Sequence, residues 1–162
     1  MPSLLETALE LPRLLAGQAL RPIGIAMRGP APRPKNQREL ADLVDISLKH
    51  QIRAGYTHRF ITLMFVTVGE RVFCRRYTYG EPSWHSVFRT DPAGQVKLDK
   101  TIVNIEARVP QDLDEVVPDV DQAYADALKK LGASYMLAGA TEPRAQASTM
   151  EVRLAEPSAN TP

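Results

Sequence analysis

The chain has 162 residues, 44% of them hydrophobic and 24% charged, with a formal net charge of +1. Such a composition excludes a largely disordered chain, and the near-balance of charge leaves no global footprint for nucleic acid. The one cysteine, Cys74, excludes an intramolecular disulfide framework and a cysteine-based zinc cluster. No apolar run approaches the roughly 18 residues of a membrane span. Glu6, Glu10 and Pro12 interrupt the apolar N-terminus as a secretory signal. The expectation is a soluble, cytoplasmic protein with no membrane partner.

The balance hides an asymmetry. Residues 1–90 carry 13 Lys+Arg against 7 Asp+Glu, and residues 91–162 carry 7 against 12. Complementary charge between two parts of one fold accounts for this, and so does an arginine-rich pocket for an anionic ligand.

Residues 1–36 read as an extension. Ser3 and Glu6 have capping-box spacing ahead of Leu4, Leu5, Ala8 and Leu9, and Pro12 stops that helix. Pro22, Pro30, Pro32 and Pro34, mixed with basic residues, make 22–35 an extended arm. The domain proper spans 37–154, with a flexible tail over 155–162. It opens with a helix over 37–49, capped by Asn36 with Glu39 and carrying the stripe Leu40, Leu43, Val44, Ser47 and Leu48.

Arg59 to Val68 is β-branched and apolar on both alternating faces, so it predicts a strand covered on both sides. Gly69-Glu70 turns it into a hairpin with Arg71 to Tyr79. Alternation places Val72, Cys74 and Arg76 on one face and Phe73, Arg75, Tyr77 and Tyr79 on the other. Ser83 caps a short helix carrying Trp84, Val87 and Phe88. After a turn at Asp91–Gly94, strands follow over Gln95–Asp99 and Thr101–Val109.

Residues 119–131 give the clearest helix, with Val120, Ala123, Tyr124, Ala127, Leu128 and Leu131 at helical spacing, Asp119 as cap and Gly132 as stop. Ser148–Leu154 reads as a last strand. Successive hairpins without βαβ alternation predict an α+β or mainly β fold: a small antiparallel barrel or curved sheet flanked by helices.

No Walker loop, G-x-G-x-x-G, H-E-x-x-H or G-x-S-x-G occurs. His50, His58 and His85 are scattered, and a surface or structural role is the simpler expectation than an acid–base or haem role. Cys74, inside a strand, reads as an inert buried thiol. Arg75-Arg76 is more informative, because adjacent strand residues face opposite ways and one guanidinium must face inward. There it meets either an internal carboxylate, such as Glu106 or Asp126, or the phosphate or carboxylate of a ligand. Half of the ten aromatics lie between Phe73 and Phe88. Tyr77, Tyr79 and Trp84 form either a hydrophobic mini-core or the wall of a pocket for a planar ligand.

These residues carry a resemblance. Phe73-Cys74-Arg75-Arg76-Tyr77-Thr78-Tyr79-Gly80, with Trp84 after it, resembles the strand-and-loop signature of the uncharacterised DUF2255 family. Phe60 to Val66 is similar to the family's preceding strand, where a tryptophan usually stands at the place of Met64 or Phe65. Asp121-Gln122-Ala123-Tyr124 resembles its Asp-x-Ala-Tyr helix. Ser134-Tyr135-Met136-Leu137 and Arg144 to Thr149 resemble its closing Ser-Tyr-Leu and Arg-Ala-x-Thr strand.

The resemblance covers about 37–154. It implies a split β-barrel of the pyridoxamine-phosphate-oxidase type, commonly a homodimer holding FMN or a deazaflavin at the subunit interface. It further implies that Arg76 is the matching arginine and Trp84 the matching aromatic near the pocket. On a flavin-binding reading Arg75 or Arg76 clamps the cofactor phosphate, Thr62 and Tyr77 hydrogen-bond the cofactor, Trp84 borders the ring and His85 is the candidate acid. That is a flavin-dependent oxidoreductase with a small-molecule substrate. The alternative is a barrel without redox chemistry that binds haem or another anionic ligand, with His58 and His85 as candidate axial ligands. A third reading is an interaction protein whose basic N-terminal arm docks a partner.

Overall fold

A computed structural model describes residues 29–157, and the fold set out here is that of the unit beginning at Pro32. The helix expected after Ser3 and the first part of the proline-rich arm lie outside the described residues; residues 29–34 have no regular structure.

Helix α1 (Gln37–Ile46) starts as its cap predicts, the Asn36 side chain accepting from the Glu39 N–H at 2.9 Å. Leu40, Leu43 and Val44 are buried. The helix ends three residues before the expected 49. The N–H groups of Leu48 and Lys49 donate instead to the Asp99 carboxylate, at 3.0 and 2.8 Å, which draws the chain out of the helical path. The chain then enters a strand that the hydropathy pattern did not reveal, β1 (His50–Ala54), in which only Ile52 and Ala54 are buried.

The remaining elements are β2 (Ile61–Thr62), β3 (Phe65–Val68), β4 (Arg71–Cys74), α2 (Trp84–Thr90), β5 (Ala93–Leu98), β6 (Thr101–Arg108), α3 (Leu113–Lys130), a 3₁₀ turn (Ser134–Met136), α4 (Leu137–Thr141), α5 (Pro143–Ala147) and β7 (Met150–Leu154). The seven strands form one antiparallel sheet in the order β2-β1-β5-β6-β7-β4-β3.

Strands β2 and β3 stand at opposite ends of that order, yet only Leu63 and Met64 separate them in the chain. The sheet curls until one run, Ile61–Val68, carries both its edges. The expected continuous strand over 59–68 is therefore broken: its first part pairs with β1 and its second with β4. Curling also places a core inside. Val72, Cys74, Val96, Ile105, Met150 and Val152 are buried there, beneath α1 and Phe88 of α2.

A second layer lies outside β3 and β4. Val66 and Phe73 pack with Val116, Val120, Tyr124 and Leu128 of α3. The alternation read along Arg71–Arg76 is thus realised, with Val72 and Cys74 inside the curl and Phe73 under α3. The strand itself stops at Cys74, short of the expected Tyr79.

Helix α3 begins six residues before the expected 119, so Asp119 is not its cap, and Pro118 lies inside it. Pro118 and Asp114, whose carbonyl loses a partner to the missing N–H, are both exposed, and water can take that carbonyl. At its end Gly132 has φ +67° and the Ala133 N–H reaches back to the Leu128 carbonyl at 2.8 Å, the expected glycine stop.

The closing segment also departs from expectation. Ser134–Met136 and Arg144–Ala147 are helical turns, and the strand begins only at Met150. Short alanine-rich stretches give neither period clearly, and packing on α3 decides them.

Candidate functional site

Arg75 follows β4 on the side facing α3. It is 1% exposed. Its Nε donates to Thr149 Oγ1 at 2.9 Å, and its Nη1 donates to Asp121 Oδ1 at 2.5 Å and to the Ala140 carbonyl at 2.9 Å. Its guanidinium carbon lies 5.4 Å from the centre of the Tyr124 ring. The guanidinium therefore ties β4 to α3, α4 and the start of β7. The carboxylate that meets it is Asp121, not Glu106 or Asp126. Glu106 pairs with Arg108 at the surface, and Asp126 accepts from Gln122.

Arg76 points the other way and is equally occupied. Nε donates to the Thr78 carbonyl (3.0 Å), Nη1 to Glu81 Oε1 (3.0 Å) and Nη2 to the Gly80 carbonyl (3.1 Å). The side chain is a template around which the loop 77–82 folds. Ser83 and Ser86 side chains, with Arg76 beyond them, hold the Glu81 carboxyl below its ordinary value. The half-buried loop ring Tyr79 is flanked by Arg76 and, at 4.1 Å, by Arg144.

Trp84 and His85 open α2, capped by Ser83, whose side chain accepts from the Ser86 N–H. The Trp84 ring meets His85 and Phe88 edge-on and packs against the interior core. His85 is buried. Burial, with Arg76 and Arg89 nearby, lowers its pKa. Its Nε2 and Arg75 Nη2 are the two buried side-chain polar atoms without a partner among the described residues. Burial also pushes the Tyr77 hydroxyl up to about 12 and the Cys74 thiol well above its usual range. Cys74 is an inert core residue, as its strand position implied.

A concavity among the described residues lies elsewhere. A groove of about 550 Å³ runs between the end of α1 with its following loop, the run Thr62–Thr67, and the last turns of α3. Leu48, Met64, Ala127 and Leu131 give it an apolar wall, and Lys49, Lys130, Asp45, Asp126 and Thr62 give it a mixed rim. Neither lysine side chain makes an ion pair among the described residues. Asp45 accepts from Thr67 Oγ1 at 2.7 Å.

His50 stands in the groove wall. Burial lowers its pKa, against the opposing pull of the Val44 and Ser47 carbonyls and of Asp99 and Asp45.

Of the residues expected to hold a cofactor, only Thr62 lines the groove; Arg75, Arg76, Tyr77, Trp84 and His85 do not. His50, expected only as a histidine of surface or structural role, enters the groove from a strand too polar to read, while Lys49 and Lys130 enter it from the loop after α1 and the last turn of α3.

The profile of the DUF2255 family, described as an uncharacterized protein conserved in bacteria, matches residues 37–152, well over half of the chain. The chain belongs to the DUF2255 family. No curated protein matches it. In this DUF2255 protein the expected phosphate clamp does not fit its residues. Arg76 spends all its donor nitrogens on its own loop, and the one nitrogen left on Arg75 is buried beneath α3. An anion brought to either would have to share a guanidinium that the fold already uses, at Arg75 in a space with almost no access to solvent. Among the described residues no group of His, Cys, Asp or Glu is arranged to hold a metal ion, and no helix is long and apolar enough to cross a membrane.

Proposed function

We propose that this protein is a small-molecule-binding split barrel whose ligand lies in the groove between α1, the Thr62–Thr67 run and α3. The groove itself carries the reading: its volume is that of a small-ligand site, and it sets an apolar wall beside a few polar groups. A planar ligand would lay its ring against Met64, Ala127 and Leu131, with Thr62 and the ammonium groups of Lys49 and Lys130 available to its polar end.

FMN or a deazaflavin is the first class to test, and with it an oxidoreductase role. Such a group brings its own hydride chemistry when bound. Lys49, Lys130 and Thr62, rather than Arg75 and Arg76, are the residues left to hold it. A non-redox binding or sensing module is the second reading, favoured by the internal commitment of both arginines. Haem has less support: both ring nitrogens of His50 are engaged, His58 is exposed on a loop and His85 is buried. The exposed apolar residues Ile46, Leu48 and Leu131 beside the groove support a homodimer that covers them.

The test is a visible absorbance spectrum of purified protein before and after incubation with FMN and removal of excess, with light scattering for the mass. Retained flavin bands that Lys130→Glu abolishes and Arg76→Lys leaves intact support the flavin reading at the groove. A protein that retains no FMN, while an anionic aromatic dye still binds in a Lys130-dependent way, moves the assignment to a non-redox ligand. If neither binds, the groove is not a ligand site.

A further inference from the structure

Leaving β1 and joining β4 costs the run Ile61–Val68 its ladder at Leu63 and Met64 and leaves the N–H of Phe65, the first residue of β3, turned away from β4, because a strand that changes partners leaves backbone groups without a neighbour. One residue supplies much of the replacement. The His50 carbonyl accepts from the Leu63 N–H at 3.2 Å, and the His50 ring, through Nδ1, accepts from the Phe65 N–H at 3.1 Å. Its Nε2 faces the Val44 and Ser47 carbonyls at 3.0 and 3.2 Å, and its ring lies 5.5 Å from that of Phe65. From the other side the Tyr124 hydroxyl donates to the Met64 carbonyl at 3.1 Å.

These partners fix the ring's state. An N–H donor at Nδ1 and carbonyls at Nε2 admit only the neutral imidazole with its proton on Nε2. A second proton, taken from solvent at Nδ1, sets two N–H groups against each other at the joint. Asp45 of α1 and Asp99 of the β5–β6 turn face the ring with negative charge, and Lys49 adjoins it in sequence; Asp126 and Lys130 line the same groove from α3. Both nearer carboxylates are occupied, Asp45 by Thr67 and Asp99 by the Leu48 and Lys49 amides. His50, Leu63, Met64 and Phe65 all line the groove.

We propose that His50 is a pH-operated latch on the groove: the neutral ring holds the Leu63–Phe65 joint to β1 and α1, and its protonation releases that joint and reshapes the wall a ligand would touch. The inference rests on the reading of the groove as the ligand site only for its functional meaning, since the latch itself can be observed without a ligand. Tyr124 holds Met64 to α3 throughout, so the release is local.

The test follows amide hydrogen exchange and the His50 ring ¹⁵N signals by NMR in the full chain, across a pH series. Protection of the Phe65 amide, corrected for the intrinsic rate, falls about ten-fold or more as the ring takes up its second proton, while Val72 and Phe73 in β4 keep theirs. His50→Asn, which keeps an acceptor near the Nδ1 position and cannot take up a proton, loses that dependence. Asp45→Asn removes a charge that favours the imidazolium and moves the transition to lower pH; it serves if the His50→Asn variant does not fold. Phe65 protection that stays constant while the ¹⁵N signals show the ring charged overturns the proposal, as does a simultaneous loss at Val72 and Phe73, which is global unfolding. FMN retention measured over the same pH series reports separately on the groove: absence of binding at every pH counts against the flavin reading and leaves the exchange result to decide the latch.

Discussion

The backbone N–H of Phe65 donates to the ring of His50 across 3.1 Å, so that a side chain on β1 does the work of a missing strand neighbour at the point where the curled sheet closes. This bond exists only for a neutral ring. His85, buried beside Arg76 and Arg89, is held neutral as well.

Both imidazoles therefore have lowered native pKa values, against about 6.5 in the unfolded chain. Below that value the unfolded state binds more protons than the native one. Stability is then fully present above about 6.5 and declines as the pH falls through the lowered native values. Urea midpoints measured over this range are expected to drop toward acid. The double substitution His50→Asn, His85→Leu flattens the slope; an unchanged slope would assign the pH dependence to other groups.

Asp121→Ala removes the carboxylate from a guanidinium that has almost no access to solvent. A buried charge deprived of its partner costs about 3 kcal/mol, and Thr149 and Ala140 remain as neutral acceptors. Chemical denaturation measures the loss. A cost below about 0.5 kcal/mol, the range of an ordinary surface change, would mean that water has replaced the carboxylate.

Gly94 in β5 lies under Phe88 of α2. A Cβ there would stand 2.5 Å from the Arg53 carbonyl and 2.6 Å from the Phe88 ring. Gly94→Ala is expected to destabilise by about 1–3 kcal/mol through overpacking, and Phe88→Leu in the same chain relieves the side-chain part of the clash. Thermal melts of the single and double variants check this: the double variant melting no higher than Gly94→Ala would place the strain in the backbone contact alone.

Tyr124→Phe deletes the hydroxyl that satisfies the Met64 carbonyl. The expected cost is about 1–2 kcal/mol for the acceptor left without it. Amide exchange at Phe65 should quicken more than at Ile105, because the joint loses its second anchor. Equal acceleration at both sites would show that the bond contributes to global stability alone.

Much of the architecture was legible because local signals and packing agreed. The Asn36 and Ser83 caps, the Gly69-Glu70 hairpin, the Gly132 stop and the opposed faces of Val72 and Phe73 all follow from residue chemistry within a few positions. Strand β1 was not legible, since His50, Gln51 and Arg53 mask its two apolar residues. The break at Leu63–Met64 was hidden because an apolar run reads the same whether it keeps one neighbour or changes to another. One of Arg75 and Arg76 was expected to face inward, with the choice between them open; both are buried, and the carboxylate that meets Arg75 was missed. Asp121 sits on α3 one step from Val120 and three from Tyr124, so the stripe that buries Tyr124 also turns Asp121 toward β4; the helix expected over 119–131 already held it, and what the sequence did not show was that this face packs on β4. The groove gave no signal, being assembled from three stretches far apart in the chain.

The place of β7 has a consequence for how the chain is made. It is the last strand to be synthesised, yet it stands between β6 and β4, in the interior of the sheet order. Until it emerges, the strands already made comprise two ribbons with a gap between them, each presenting a bare edge to which another chain could add. A chain released before Met150 would thus be a sticky intermediate, whereas one released after Leu154 can close the sheet. Loss of these five residues should cost solubility as well as stability.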